Sequence, residues 1–97
     1  MGQRIEIESS QVVDDSVIIT TDRSLTGTDG EGYSSADQAS SSSTFGAKLA
    51  SDLFESDDAI SRVYIASNVV VIRREDGWSD DTKRAAAEVI TEFFVFY

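Results

Sequence analysis

The chain has 97 residues, 40% of them hydrophobic, and a formal net charge of −10 from 18 acidic and 8 basic side chains. With no Cys and no His, it excludes disulfides, a thiol nucleophile, thiolate ligation, and the commonest general base and zinc ligand. So acidic a surface is repelled by phosphate backbones and anionic leaflets, so neither nucleic acid nor membrane is an expected partner.

Residues 4–8 alternate charge with Ile5 and Ile7, the period of a strand with one wet face. Asp14-Asp15-Ser16 supplies turn chemistry, and Val17, Ile18 and Ile19 with Thr20 and Thr21 form a β-branched second strand. Residues 24–43, with Gly27, Gly30, Gly32 and four consecutive serines from Ser40, make a connection unusually long for a compact domain. It is either a mobile loop, centred on 34–43, or the site of a short unrecognised strand, with Tyr33 as its aromatic anchor.

Ser43 or Thr44 can cap a helix over 44–56, in which Phe45, Leu49, Leu53 and Phe54 share a face and Asp57-Asp58 ends the run. Val63-Tyr64-Ile65 and Val69-Val70-Val71-Ile72 read as a hairpin around Ala66-Ser67-Asn68, with Asn68 suited to positive φ. The second run is apolar on both faces and reads as a central strand. Glu75-Asp76-Gly77 is a turn, Trp78 should cover the end of the core, and Ser79 caps a last helix over 79–94. Asp80 and Asp81 sit in its first turn, where the helix dipole favours anions, and Ala86, Val89 or Ile90, and Phe93 form its inner stripe. The expected fold is one two-layer α+β domain over residues 1–97, ββαββα. A four-stranded, mainly antiparallel sheet would carry two helices on one face.

Catalytic constellations are not found. Asp29-Gly30-Glu31-Gly32 lacks the ligand offsets of a calcium loop. Asp57-Asp58 and Asp80-Asp81 are sequence neighbours whose side chains diverge, unlike an acid/base couple. No Gly-x-Ser-x-Gly elbow exists, and Lys48 and Ser51 lack an orienting partner. A non-enzymatic domain without metal or cofactor is expected. The candidate partner-binding residues are Arg73 and Arg74, which end the central strand on opposite faces, and the aromatic tail Phe94, Phe96 and Tyr97. A helix ending in five consecutive apolar residues cannot bury them all, and Phe93 is the one that continues the inner stripe. No run reaches the roughly 20 apolar residues of a membrane span. The start lacks a signal peptide's apolar stretch, so a cytoplasmic setting is expected.

From residue 47 on, the chain resembles the N-terminal domain of Nfu/NifU-type iron–sulfur scaffold proteins. Ala47-Lys48-Leu49-Ala50-Ser51-Asp52-Leu53-Phe54 is similar to that family's "S-P-L-A-x-x-L-F" helix. Ile60 and Val63-Tyr64 resemble its "G-V-x-x-V-F" strand, and Asn68-Val69-Val70-Val71-Ile72 the "D-F-I-T-V" partner. Asp76-Gly77-Trp78 with Ile90 and Phe93-Phe94 resembles "D-W…I…F-F". The family's "T-P-N-P" opening has no counterpart in a chain without Pro, Lys48 stands in place of the helix proline, and Asp58-Ala59 replaces a glycine. The Cys-x-x-Cys pair that holds the cluster belongs in that family to a C-terminal domain, with no match in these residues. The resemblance implies an accessory, protein-binding role associated with iron–sulfur cluster assembly, without a cluster of its own. The implied partner is a Cys-bearing scaffold, and the acidic surface also suits a basic protein. The alternatives are weak divalent-metal binding, for iron, through acidic loops, or a small domain with no link to that pathway.

Overall fold

A computed structural model describes residues 6–22, 30–41 and 44–96. Their elements run β1 (Ile7–Val13), β2 (Ser16–Thr21), β3 (Glu31–Tyr33), α1 (Ala36–Ser40), α2 (Phe45–Ser56), β4 (Ile60–Ala66), β5 (Val69–Arg74) and α3 (Asp80–Phe96). The strands form one sheet in the order β1-β2-β5-β4-β3, with every neighbouring pair antiparallel.

The expectation of four strands and two helices is therefore corrected by one strand and one helix. Both arise in the segment read as a long connection. β3 has three residues, one of them Gly32, and no alternation to betray it; the free edge of β4 supplies its hydrogen bonds. Within 34–43, read as mobile, Ser35 caps α1 by accepting from the Gln38 backbone N–H at 3.1 Å. The Gln38 side chain accepts in return from the Ser34 backbone N–H at 2.6 Å, and Ala39 is completely buried. Residues 23–29, 42 and 43 lie outside the described residues, as does Ile5.

The two long helices follow their caps. Thr44 accepts from the Ala47 N–H at 3.1 Å to start α2. Ser79 and Thr82 cap α3 reciprocally: the Thr82 N–H donates to Ser79 Oγ and the Ser79 N–H to Thr82 Oγ1. Leu49, Leu53 and Phe54 from α2, and Ala86, Ile90 and Phe93 from α3, close over Val17, Ile19, Val63, Ile65, Val70 and Ile72. Each fully buried Leu or Ile contributes about 1.5–3 kcal/mol, so this single seam between helices and sheet carries most of the stability. Trp78 packs half-buried at the end of that seam, and its Nε1–H donates to the Asp15 carbonyl at 2.9 Å.

Two-residue loops close both hairpins. The positive φ expected of Asn68 falls on Ser67 (55°), and Asp14 takes the same role in the first loop (54°). Asn68 is used instead to bind the second turn to β2. Its carbonyl accepts from the Thr21 N–H at 2.8 Å and the Thr21 hydroxyl at 3.1 Å, and its amide donates to the Thr21 carbonyl at 3.0 Å. This satisfies the buried hydroxyl of Thr21, which would otherwise cost about 1–3 kcal/mol. Among the described residues no helix is long and apolar enough to cross a membrane.

Candidate docking face

Side chains alternate across each strand, so the register that buries Val17, Ile72 and Val63 sends their neighbours to the opposite side. There Ile18 of β2, Val71 of β5 and Tyr64 of β4 stand in one cross-strand row, and Arg73 and Arg62 stand opposite each other in the next. Among the described residues no helix or further strand lies over this side of the sheet. Tyr64 is 39% exposed, Arg62 and Arg73 are exposed, and Ile18, Val69 and Val71 are only half-buried by their neighbours. A shallow hollow of about 410 Å³ lies at one end, between the Asp14-Asp15 loop and Ile18, Val71 and Arg73.

Glycine is required where Tyr64 crosses the sheet edge. A Cβ on Gly30 would lie 2.5 Å from the Tyr64 hydroxyl oxygen, and one on Gly32 would lie 3.2 Å from its ring. Gly30 also has φ +76°, a conformation that side chains resist. The phenol thus rests on bare backbone, with the Arg62 guanidinium beside it, 3.5 Å from the Gly32 Cβ position. The ring is held flat and presented outward.

The face is electrostatically unlike the rest of the molecule. β2, β4 and β5 contain no Asp or Glu although the chain has 18. Arg74 pairs with Asp57 and Arg84 with Asp81, and among the described residues no ion pair engages Arg62 or Arg73. Like charges directly opposite on an antiparallel pair destabilise it. Arg62 and Arg73 sit in that relation.

The structure separates the two arginines nominated from sequence. Arg73 belongs to the open face. Arg74 points the other way and is used internally: its Nε donates to Asp57 at 2.8 Å, its guanidinium to the Gly77 carbonyl at 2.9 Å, and its backbone N–H to the Asp15 carbonyl. The Arg74 side-chain hydrogen bond holds the Asp57 carboxyl below its ordinary range, against a smaller opposing effect of burial. The side chains of Phe94 and Phe96, and the whole of Tyr97, lie outside the described residues; Phe93 is buried. Ile18, Arg62, Tyr64 and Val71 were not singled out from sequence. A signal was present: residues 69–72 are apolar on both faces, while only two strong helical patterns exist to cover a sheet.

The acidic segments do not converge. Glu31 is engaged as an acceptor by the Tyr33 and Thr44 hydroxyls, Asp57 is paired, and Asp80 and Asp81 stand exposed in the first turn of α3. Among the described residues no group of three His, Cys, Asp or Glu side chains is placed to hold a metal ion. A second depression, about 140 Å³, is lined by Ile60, Trp78, Ala85 and Ala86, with Asp57 and Asp81 at its margin. It is mainly apolar and belongs to the seam under Trp78.

Protein SAV1430 from Staphylococcus aureus, known from an X-ray crystal structure, is similar in fold. The match has a TM-score of 0.65 at 15% identity and covers 87% of this chain and 96% of that one. No protein-family model matches the chain, and no curated protein does.

Proposed function

We propose that this domain is a non-enzymatic protein-interaction module, an accessory to iron–sulfur cluster assembly in the cytoplasm that does not itself hold a cluster. The observation that carries the binding role is the sheet face that no helix or further strand covers among the described residues, with Tyr64 39% exposed over Gly30 and Gly32 beside half-buried Ile18 and Val71. A sheet with one face packed and the other carrying apolar side chains without a second helical layer is suited to complete itself on a partner. The pathway rests on the residue resemblance to the Nfu/NifU N-terminal domain. Its helix–strand–strand–helix motifs fall on α2, β4, β5 and α3 in the same order. Cluster ligation is assigned elsewhere because clusters are held by Cys thiolates, with His as an occasional substitute, and the chain has neither.

Two measurements test this reading. The tagged domain is used to capture proteins from its native host, in parallel with a Val71→Asp variant checked for folding by circular dichroism. A Cys-bearing assembly protein retained by the wild type and lost by the variant is the expected result. Capture of nothing that depends on Val71 would remove the binding role assigned to this face. Anaerobic reconstitution with iron and sulfide should leave the visible spectrum featureless; a stoichiometric cluster would overturn the accessory assignment.

A further inference from the structure

The open face has a sign of charge opposite to that of the molecule, and this selects the kind of partner it fits. A chain of net charge −10 attracts basic proteins at long range. Its acids, however, sit on the helices, the loops and the two edge strands, Glu8 in β1 and Glu31 in β3, whereas the three strands that build the centre of the face contain none. What projects there is an apolar row of Ile18, Val71 and Tyr64, bordered by the opposed Arg62 and Arg73. Asp14 and Asp15 line the hollow together with Arg73, and the Asp15 carboxylate is turned toward Gly77, 3.9 Å from where its Cβ would stand.

Building on the binding role proposed above, we infer that this face docks an acidic amphipathic segment of a partner protein. Apolar side chains of that segment lie on Ile18, Val71 and Tyr64, and its carboxylates reach Arg62 and Arg73. Arg62 and Arg73 are like charges paired directly across β4 and β5, the Arg62 guanidinium lying by Gly32 and Arg73 lining the hollow, and neither has an ion pair among the described residues. A carboxylate reaching either guanidinium offsets that like charge and gains a charge-assisted hydrogen bond. An antiparallel sheet already covered by helices on one side accepts a helix on the other by the same layer packing. A second copy of this chain fits poorly, because the helices it would offer bring a molecule of the same −10 charge.

The test uses two synthetic peptides of roughly 18 residues, five helical turns, with leucines at helical spacing on one face. One carries glutamates on its remaining positions and the other lysines. Each is titrated into the isotope-labelled protein while amide resonances are followed. The glutamate peptide should shift resonances of β2, β4 and β5 around Ile18, Tyr64 and Val71. The double variant Arg62→Gln with Arg73→Gln should bind it about tenfold more weakly. The melting temperature and amide spectrum of that variant are measured alongside, so that weaker binding counts only where the fold is intact. Absence of shifts on this face, or binding unchanged in the variant, overturns the inference. So does a face that answers only to the lysine peptide, to protein concentration alone, or to a single-stranded oligonucleotide. A partner captured through Val71 together with failure of the glutamate peptide would leave the accessory role standing and remove only the acidic partner.

Discussion

Asp57 accepts from Arg74 Nε and from the Ala59 backbone N–H, so one carboxylate joins the end of α2, the start of β4 and the end of β5. Its pKa is lowered from the ordinary 3.8, first by the Arg74 hydrogen bond. A depressed folded value means that ionised Asp57 stabilises the fold fully above its unfolded pKa. That contribution is lost as the pH falls through the folded value. Asp57→Asn should cost about 1–3 kcal/mol near neutral pH. The gap between variant and wild-type urea midpoints should close on acidification below about pH 4. A gap that stays constant with pH would mean the loss is one of packing and not of charge. Asp52 on α2 acts in the opposite sense: burial, and then the nearby Glu55, raise its pKa. Its ionised form therefore opposes folding above the ordinary value, and the penalty vanishes in acid.

α2 and α3 were readable because each combines a capping hydroxyl with apolar residues at helical spacing, Leu49 and Leu53 in one, Ala86, Ile90 and Phe93 in the other. α1 carries a weaker version of the same signature: Ser35, then Gln38 three residues on, with two small apolar contacts, buried Ala39 and half-buried Ala36. Five residues cannot sustain a helix in isolation. This one persists because Ala39 is sealed in the core cluster that includes α2 and the sheet. Ala39→Asp should therefore cost on the order of 3 kcal/mol by placing a charge where nothing pairs it, measured as a fall in the urea midpoint. A variant as stable as wild type would show that α1 is an ornament on the loop and not part of the core. β3 has the same dependence on context, since three residues around Gly32 form a strand only because β4 has an edge to pair.

At the scale of the whole molecule, a charge of −10 on 97 residues makes the folded state repel itself. Moderate salt screens exposed charges beyond about 8–10 Å. If screening recovers about 1 kcal/mol, the melting temperature rises by about 4–8 °C between low and moderate salt. A melting temperature that fell with added salt would mean that attractive pairs outweigh the repulsion. The sequence by itself determined the mixed α+β class, the two long helices, the hairpin at residues 66–69 and the absence of cysteine and histidine chemistry. Those follow from local periodicity, capping and composition, which neighbouring residues carry without help. Only the tertiary structure decided that β2 pairs antiparallel with β5, that the connection holds β3 and α1, and that Arg73 and Arg74 have separate roles. It also brought Ile18, Tyr64 and Val71 into one row with Arg62 and Arg73 beside it. Such a face is assembled from β2 and the β4–β5 hairpin, far apart in the chain, and strand register, invisible in any single stretch, chooses which side chains meet on it.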